Sequence, residues 1–331
     1  MKRPMRFASW LTVATLVVST GAYAGPSSLI FFGDSLSDSG NNAVVFGPAL
    51  ITPVPIPDNS FIPTFPYASG TYSDSQVWAQ FFAASLGLSA NPSLLGGTNY
   101  AFGGARTSPP SPTPSLEAQV AGFLFTHGNV APSDALYVVA GGGDNARDAL
   151  IDIAACSGDL VCIGGVIASA SSEYAIDIGN IVGELQLAGA EDIIVWNVPD
   201  VGASPAVVAE GTSAIATVLA SSMNAALLAA IGGIPGVTIF DIFDLVGDVI
   251  ANPLDFGLTN VTDACAQFVN CDPATYLFWD GIHPTSAGHQ IISDAMLALV
   301  PEPATLALLG IALVGLGFNR RTRRLVQRAQ R

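Results

Sequence analysis

The sequence predicts an α/β domain in which a parallel sheet is covered by helices on both faces. Alternation is the first observation behind this. Short apolar runs at 29–32, 135–140, 192–198 and 237–240 are separated by stretches of helical apolar spacing at 115–126, 165–189 and 213–231. The second is size: 331 residues, 50% of them apolar and without an internal repeat, suffice for one large core. The third is that reactive side chains fall where apolar runs end, the edge at which open α/β sheets bind ligands.

The first run, Leu29-Ile30-Phe31-Phe32, is stopped by Gly33, as a buried strand is at its carboxyl end. Asp34 to Asp38 then form a polar turn. Ser35 can act there as a nucleophile, its own N–H facing a developing oxyanion. Capping and closing the turn is the other reading of Asp34, Ser35 and Asp38. Residues 48–66 are crowded with proline and read as an irregular loop over this edge. Its Ile51, Val54, Ile56, Phe61, Ile62 and Phe65 either pack the loop or meet an acyl chain. Residues 75–84 have helical spacing, with Val77, Trp78, Phe81 and Phe82 on the buried face. A second proline-rich connection, 109–114, leads to the helix at 115–126. The strand at 135–140 then feeds a glycine turn, Gly141-Gly142-Gly143-Asp144-Asn145.

Near the far end the chain reads Trp279-Asp280-Gly281-Ile282-His283-Pro284. Asp280 and His283 lie three apart, so one turn can present the imidazole while the carboxylate holds its other nitrogen. That fixes the tautomer and stabilises the imidazolium formed when Ser35 gives up its proton. The chain has 3 histidines, and His127 has no such neighbour.

Gly33-Asp34-Ser35-Leu36, Asn99-Tyr100-Ala101-Phe102-Gly103-Gly104-Ala105 and Asp280-Gly281-Ile282-His283 resemble, in order, blocks of the SGNH hydrolases, the GDSL family of esterases and lipases. The resemblance spans roughly residues 28–299. It implies a three-layer α/β/α, flavodoxin-like fold with a mostly parallel five-stranded sheet. It also implies that Ser35 is the nucleophile, His283 its base and Asp280 the residue that orients His283. The backbone N–H groups of Ser35 and Gly104 would receive the oxyanion, with neither metal nor organic cofactor.

One block departs from the family's G-x-N-D, whose asparagine donates to the oxyanion. Here Gly141 to Asp148 carry Asp144 and Asn145 in exchanged order. In register Asp144 replaces the donor, and an ionised carboxylate would repel the oxyanion. The expectation is that Asn145 moves into the role through the flexible glycines, with Asp144 as the alternative. The resulting reading is an exported serine esterase or lipase whose substrate is a lipid, a small acyl ester or an acylated polysaccharide. An acyltransferase of the same fold, or a non-catalytic surface or matrix protein retaining it, are the competing readings.

Both ends read as addresses. Lys2, Arg3 and Arg6 precede an apolar stretch and Ala22-Tyr23-Ala24, a secretory signal peptide over 1–24 that falls short of the ~20 apolar residues of a membrane span. After the domain at 25–299, Val300-Pro301-Glu302-Pro303, an uncharged stretch to Phe318, and Arg320, Arg321, Arg323 and Arg324 resemble a PEP-CTERM sorting signal of Gram-negative bacteria over 300–324. At ~1.5 Å per residue the stretch is marginal for a ~30 Å hydrocarbon core, which suits a transient anchor whose arginines stay cytoplasmic. The implied partners are the Sec machinery and an exosortase, and the destination is the cell surface, the extracellular matrix or the medium.

Between these ends, Arg106 and Arg147 are the only cations against 25 carboxylates, a formal charge of −23. Such a domain has no use for nucleic acid or anionic lipid headgroups. Its two arginines both sit in reactive blocks, either as part of the site or as ordinary surface residues. Cys156/Cys162 and Cys265/Cys271 form two equally spaced local pairs, which in an exported chain predicts two small-loop disulfides. A metal site is the weaker reading, because no histidine accompanies the first pair.

Overall fold

The first apolar run and the glycine that stops it, Leu29–Gly33, form a fully buried strand, β1, in the computed structural model, which describes residues 25–50, 55–56 and 58–300. The signal-peptide segment 1–24 and the sorting segment from 301 onward lie outside the described residues, and Pro26–Val300 form one compact unit. In chain order β1 is followed by α1 (Asn41–Phe46), α2 (Trp78–Ser85), α3 (Leu116–Thr126), β2 (Leu136–Ala140), α4 (Gly143–Ala155), α5 (Leu160–Ala188) and β3 (Asp192–Trp196). Then come α6 (Pro205–Ala209), α7 (Ser213–Ile231), β4 (Val237–Phe240), α8 (Ile242–Ala251), β5 (Asn260–Ala264), β6 (Tyr276–Phe278) and α9 (Ser286–Leu297).

The main sheet pairs β1, β2, β3 and β4 in that order, all parallel, with Leu29 opposite Leu136, Leu136 opposite Asp192 and Ile193 opposite Val237. The expected fifth strand is present only as an irregular ribbon at residues 98–102. Phe31 donates to the Thr98 carbonyl at 3.1 Å, while Tyr100 and Phe102 donate to the carbonyls of Phe31 and Gly33 at 2.8 and 3.1 Å. Within the ribbon Asn99 bridges Phe31 on one side and Pro92 on the other. Its side chain donates to the Ser37 carbonyl at 2.7 Å and accepts from the Ala101 N–H at 2.9 Å. With this ribbon outermost, the order is second, first, third, fourth, fifth, as a flavodoxin-like sheet requires.

Alternate strand residues separate two cores, the period of two that strands impose. Ile30, Phe32, Tyr137, Val139, Ile193 and Val195 face α3, α5 and α7. Phe31, Val138, Ile194, Trp196 and Phe240 face α2 and α9, where Trp78 lies 4.5 Å from Trp196 between ring centroids. The helix expected at 165–189 starts five residues earlier, because Asp159 caps it by accepting from the Val161 N–H at 2.9 Å. A separate parallel pair, β5 with β6, carries the chain from α8 to the loop before α9. Cys156 is disulfide-bonded to Cys162 at the tip of the α4–α5 hairpin, and Cys265 to Cys271 just after β5.

Candidate active site

Three segments that the sheet brings together form the site: the turn after β1, the turn between β2 and α4, and the loop between β6 and α9. The first is pinned from below. The Gln119 amide, on α3, accepts from the Gly33 N–H and donates to the Gly33 carbonyl, each at 2.8 Å. This fixes where β1 stops and where Ser35 projects. Asp38 closes the turn behind it, accepting from the N–H groups of Gly40, Asn41 and Gly103 at 2.8, 2.7 and 3.0 Å.

The loop after β6 delivers the histidine. Asp280 Oδ1 accepts from the N–H groups of Ile282 and His283, both at 2.8 Å, which curls the loop so that the imidazole returns over the carboxylate. His283 Nδ1 then lies 2.6 Å from Asp280 Oδ2, and His283 Nε2 lies 2.8 Å from Ser35 Oγ. With the imidazole neutral, Nδ1–H donates to the carboxylate and Nε2 accepts the Ser35 hydroxyl proton. Asp280 and His283 are buried, and Tyr67 O–H adds a longer bond of 3.4 Å to Asp280 Oδ2. Tyr72 covers the imidazole, ring centroids 5.2 Å apart. The remaining histidine, His289, is buried without a hydrogen-bond partner, and burial pushes its pKa down to about 3, so it stays neutral.

Gly104 meets Ser35 across a shared cavity of about 390 Å³, and its φ of +81° is a backbone conformation that side chains with a Cβ resist. The Gly103 carbonyl accepts from Asn42 Nδ2 at 2.9 Å and Thr113 Oγ1 at 3.0 Å. In a trans peptide the N–H points opposite its carbonyl, so these two bonds turn the Gly104 N–H away from them. Among the described residues, neither that N–H nor that of Ser35 has an acceptor within the protein. The loop is tied to α4 by Arg106, whose Nη1 donates to the Gly104 carbonyl at 2.7 Å. Its Nε and Nη2 form a forked pair with Asp148 at 2.7 and 2.6 Å.

The exchanged pair resolves into two different places. Asn145, expected at the oxyanion, turns to the loop instead: its Oδ1 accepts from the Thr107 N–H at 3.1 Å and its Nδ2 donates to Thr107 Oγ1 at 3.0 Å. Asp144 is the residue that lines the cavities on both sides of Ser35. The turn that aims it needs Gly142, whose φ is +110° and whose missing Cβ leaves room for Tyr174. Burial pushes the Asp144 carboxyl above the ordinary range, and Arg147, donating to its Oδ1 at 3.1 Å, works against that shift. Burial, then repulsion from Asp144, pushes Asp34 up to about 8. The second cavity at Ser35, about 90 Å³, is walled by Leu36, Val201, Val207, Ile242, Val246 and Phe278.

Ser35, Asp280 and His283, expected to act together, lie within hydrogen-bond reach, and the residues that hold them come from distant parts of the chain. Gln119, Asn42, Thr107 and Tyr67 carry no local pattern of their own, apart from Gln119 being a glutamine among the buried residues of α3.

A serine, a histidine and a buried aspartate joined in series at the carboxyl edge of a parallel sheet define an α/β protein with a Ser–His–Asp triad. The chain belongs to the GDSL-like Lipase/Acylhydrolase family, whose model matches residues 29–296, and a PEP-CTERM protein-sorting motif matches residues 299–324. Lipase 1 of Photorhabdus luminescens is 26% identical over 93% of this chain and 55% of its own length. Esterase EstA of Pseudomonas aeruginosa is 29% identical over 88% of this chain and 50% of its own. The chain thus spans about half the length of these curated relatives. Among solved structures, the lipase Lip_vut3 from a goat rumen metagenome matches with a TM-score of 0.44 and 15% identity, over 82% of this chain and 96% of that one.

Proposed function

We propose that the protein is an exported serine esterase that hydrolyses carboxylic esters through an acyl-enzyme on Ser35. The observation that carries this is the unbroken series Ser35 Oγ, His283 Nε2, His283 Nδ1, Asp280 Oδ2, with gaps of 2.8 and 2.6 Å. Ser35 Oγ adds to the ester carbonyl carbon while its proton passes to His283 Nε2. The carbonyl oxygen becomes an oxyanion facing the N–H groups of Ser35 and Gly104, and Asp280 stabilises the imidazolium. Collapse expels the alkoxide, which takes the proton from His283. Water, deprotonated by the same imidazole, then releases the acid and restores Ser35.

The small apolar cavity beside Ser35 supports a short acyl group, since about 90 Å³ is far below the ~300–1,000 Å³ of drug-sized ligand sites. Names of the relatives, lipase and esterase, support the reaction class, and the sorting motif supports export with exosortase processing. Assaying the purified protein against p-nitrophenyl esters of graded chain length tests both parts. Turnover that is highest for short chains is expected. No turnover of any ester by the folded protein would refute the hydrolase reading.

A further inference from the structure

The domain keeps 2 cations among 25 carboxylates, and both line the cavity that holds Ser35, Gly104 and His283. They are not equivalent. Arg106 is fully engaged, its three terminal groups taken by Asp148 and the Gly104 carbonyl. Arg147 makes a single side-chain bond, from Nη1 to Asp144 Oδ1, and among the described residues its Nε and Nη2 have no acceptor. It borders both cavities that meet at Ser35.

Asp144 and Asn145 leave the oxyanion without the amide that the family's pattern supplies. Asn145 is spent on Thr107. A bare carboxylate at Asp144 would oppose the charge that forms on the carbonyl oxygen. A guanidinium beside it cancels that charge and brings N–H donors of its own in a planar fork suited to an anionic oxygen.

We propose that Arg147 is a catalytic residue that supplies the third contact to the oxyanion, its guanidinium held in place by Asp144. An Asp144–Arg147 pair, one helical turn apart on α4, thereby replaces a single asparagine side chain. The free N–H groups of Arg147 meet the negative charge only as it develops. Binding of that kind speeds the chemical step without tightening the hold on the ester.

The inference rests on the esterase reading, and rescue separates the two. In the full chain, Arg147→Ala should lower kcat about 10²-fold with KM changed only a few-fold, since one oxyanion donor is worth ~10²–10³. Arg147→Lys should recover part of the loss. Adding Asp144→Asn to Arg147→Ala should recover most of it, because an amide then stands at the third position and no carboxylate is left unpaired. That double variant also guards against misfolding of the single one. Arg147→Ala with kcat within about threefold of wild type would overturn the inference and leave the esterase reading intact. So would full recovery by Arg147→Ala with Asp144→Ala, which removes the carboxylate without supplying an amide and would make Arg147 only a partner for a buried charge. A wild-type protein that neither turns over esters nor reacts at Ser35 would overturn both.

Discussion

Asn145 spends both ends of its amide on Thr107, accepting from the backbone N–H at 3.1 Å and donating to the hydroxyl at 3.0 Å. Thr107 is fully buried and follows the loop that carries Gly104. Asn145 is thereby a brace for the oxyanion loop. Replacing it with alanine leaves the Thr107 N–H without a partner, a cost of about 1–3 kcal/mol. Chemical denaturation should show that loss, while kcat falls by less than tenfold. A fall of 10²-fold or more without loss of stability would return Asn145 to the oxyanion.

Ser35 labelling follows from its bond to His283. A fluorophosphonate probe should attach once, at Ser35, and Ser35→Ala should abolish the label while leaving the fold unchanged. Asp280→Asn should slow labelling by orders of magnitude, because the amide cannot stabilise the imidazolium and disturbs the tautomer. Peptide mapping of the labelled protein reads both. Label on any other serine would sink the assignment.

The Cys265–Cys271 bridge is expected to matter for activity as well as stability. Ala266, inside its loop, donates to the Trp279 carbonyl at 2.9 Å and accepts from Ile56 at 2.9 Å, and Trp279 donates to the His283 carbonyl at 2.7 Å. Closing so short a loop is worth about 2 kcal/mol in the chain-entropy account. Cys265→Ser with Cys271→Ser should cost that much and lower kcat, as the histidine loop gains freedom. The matching double replacement at Cys156 and Cys162, at the tip of the α4–α5 hairpin, should cost stability with kcat unchanged. Equal effects of the two pairs on kcat would show that the 265–271 bridge does not support the histidine loop.

What the sequence could convey is set by where each contact comes from. β1, β2 and β3 were legible because both their faces are buried, so their apolar runs are continuous, while β4 at the sheet edge buries only Phe240 fully. Asp280 and His283 were legible because their contact is local. The ribbon at 98–102 was not, because it offers no continuous apolar run and joins β1 only through a bridge at Phe31 and a few scattered bonds. β5 and β6 escaped notice because they are short and pack into a small cluster around Val249, Leu258 and Leu277 rather than the main core. The fate of Asn145 also depended on a distant partner, Thr107, that no local pattern announces.

The pH dependence of stability should carry the mark of Asp34. Its carboxyl is buried beside Asp144 and pushed from 3.8 up to about 8 in the folded protein. Between those values the native state holds a proton that the unfolded chain has released. Stability from this group is therefore complete below ~4 and is lost as pH rises through about 8, with a slope of at most ~1.4 kcal/mol per pH unit. Asp144, also shifted upward by burial, acts with the same sign. Urea midpoints measured from pH 5 to 8.5 should fall for the wild type and fall less for Asp34→Asn, with the slope reduced again when Asp144→Asn is added. Turnover should follow on the alkaline side. Ionising Asp34 above about 8 puts a negative charge next to the oxyanion, so kcat should decline there in the wild type and hold level in Asp34→Asn. Wild-type and Asp34→Asn midpoints that change in parallel with pH would mean that Asp34 is already ionised in the folded protein at neutral pH.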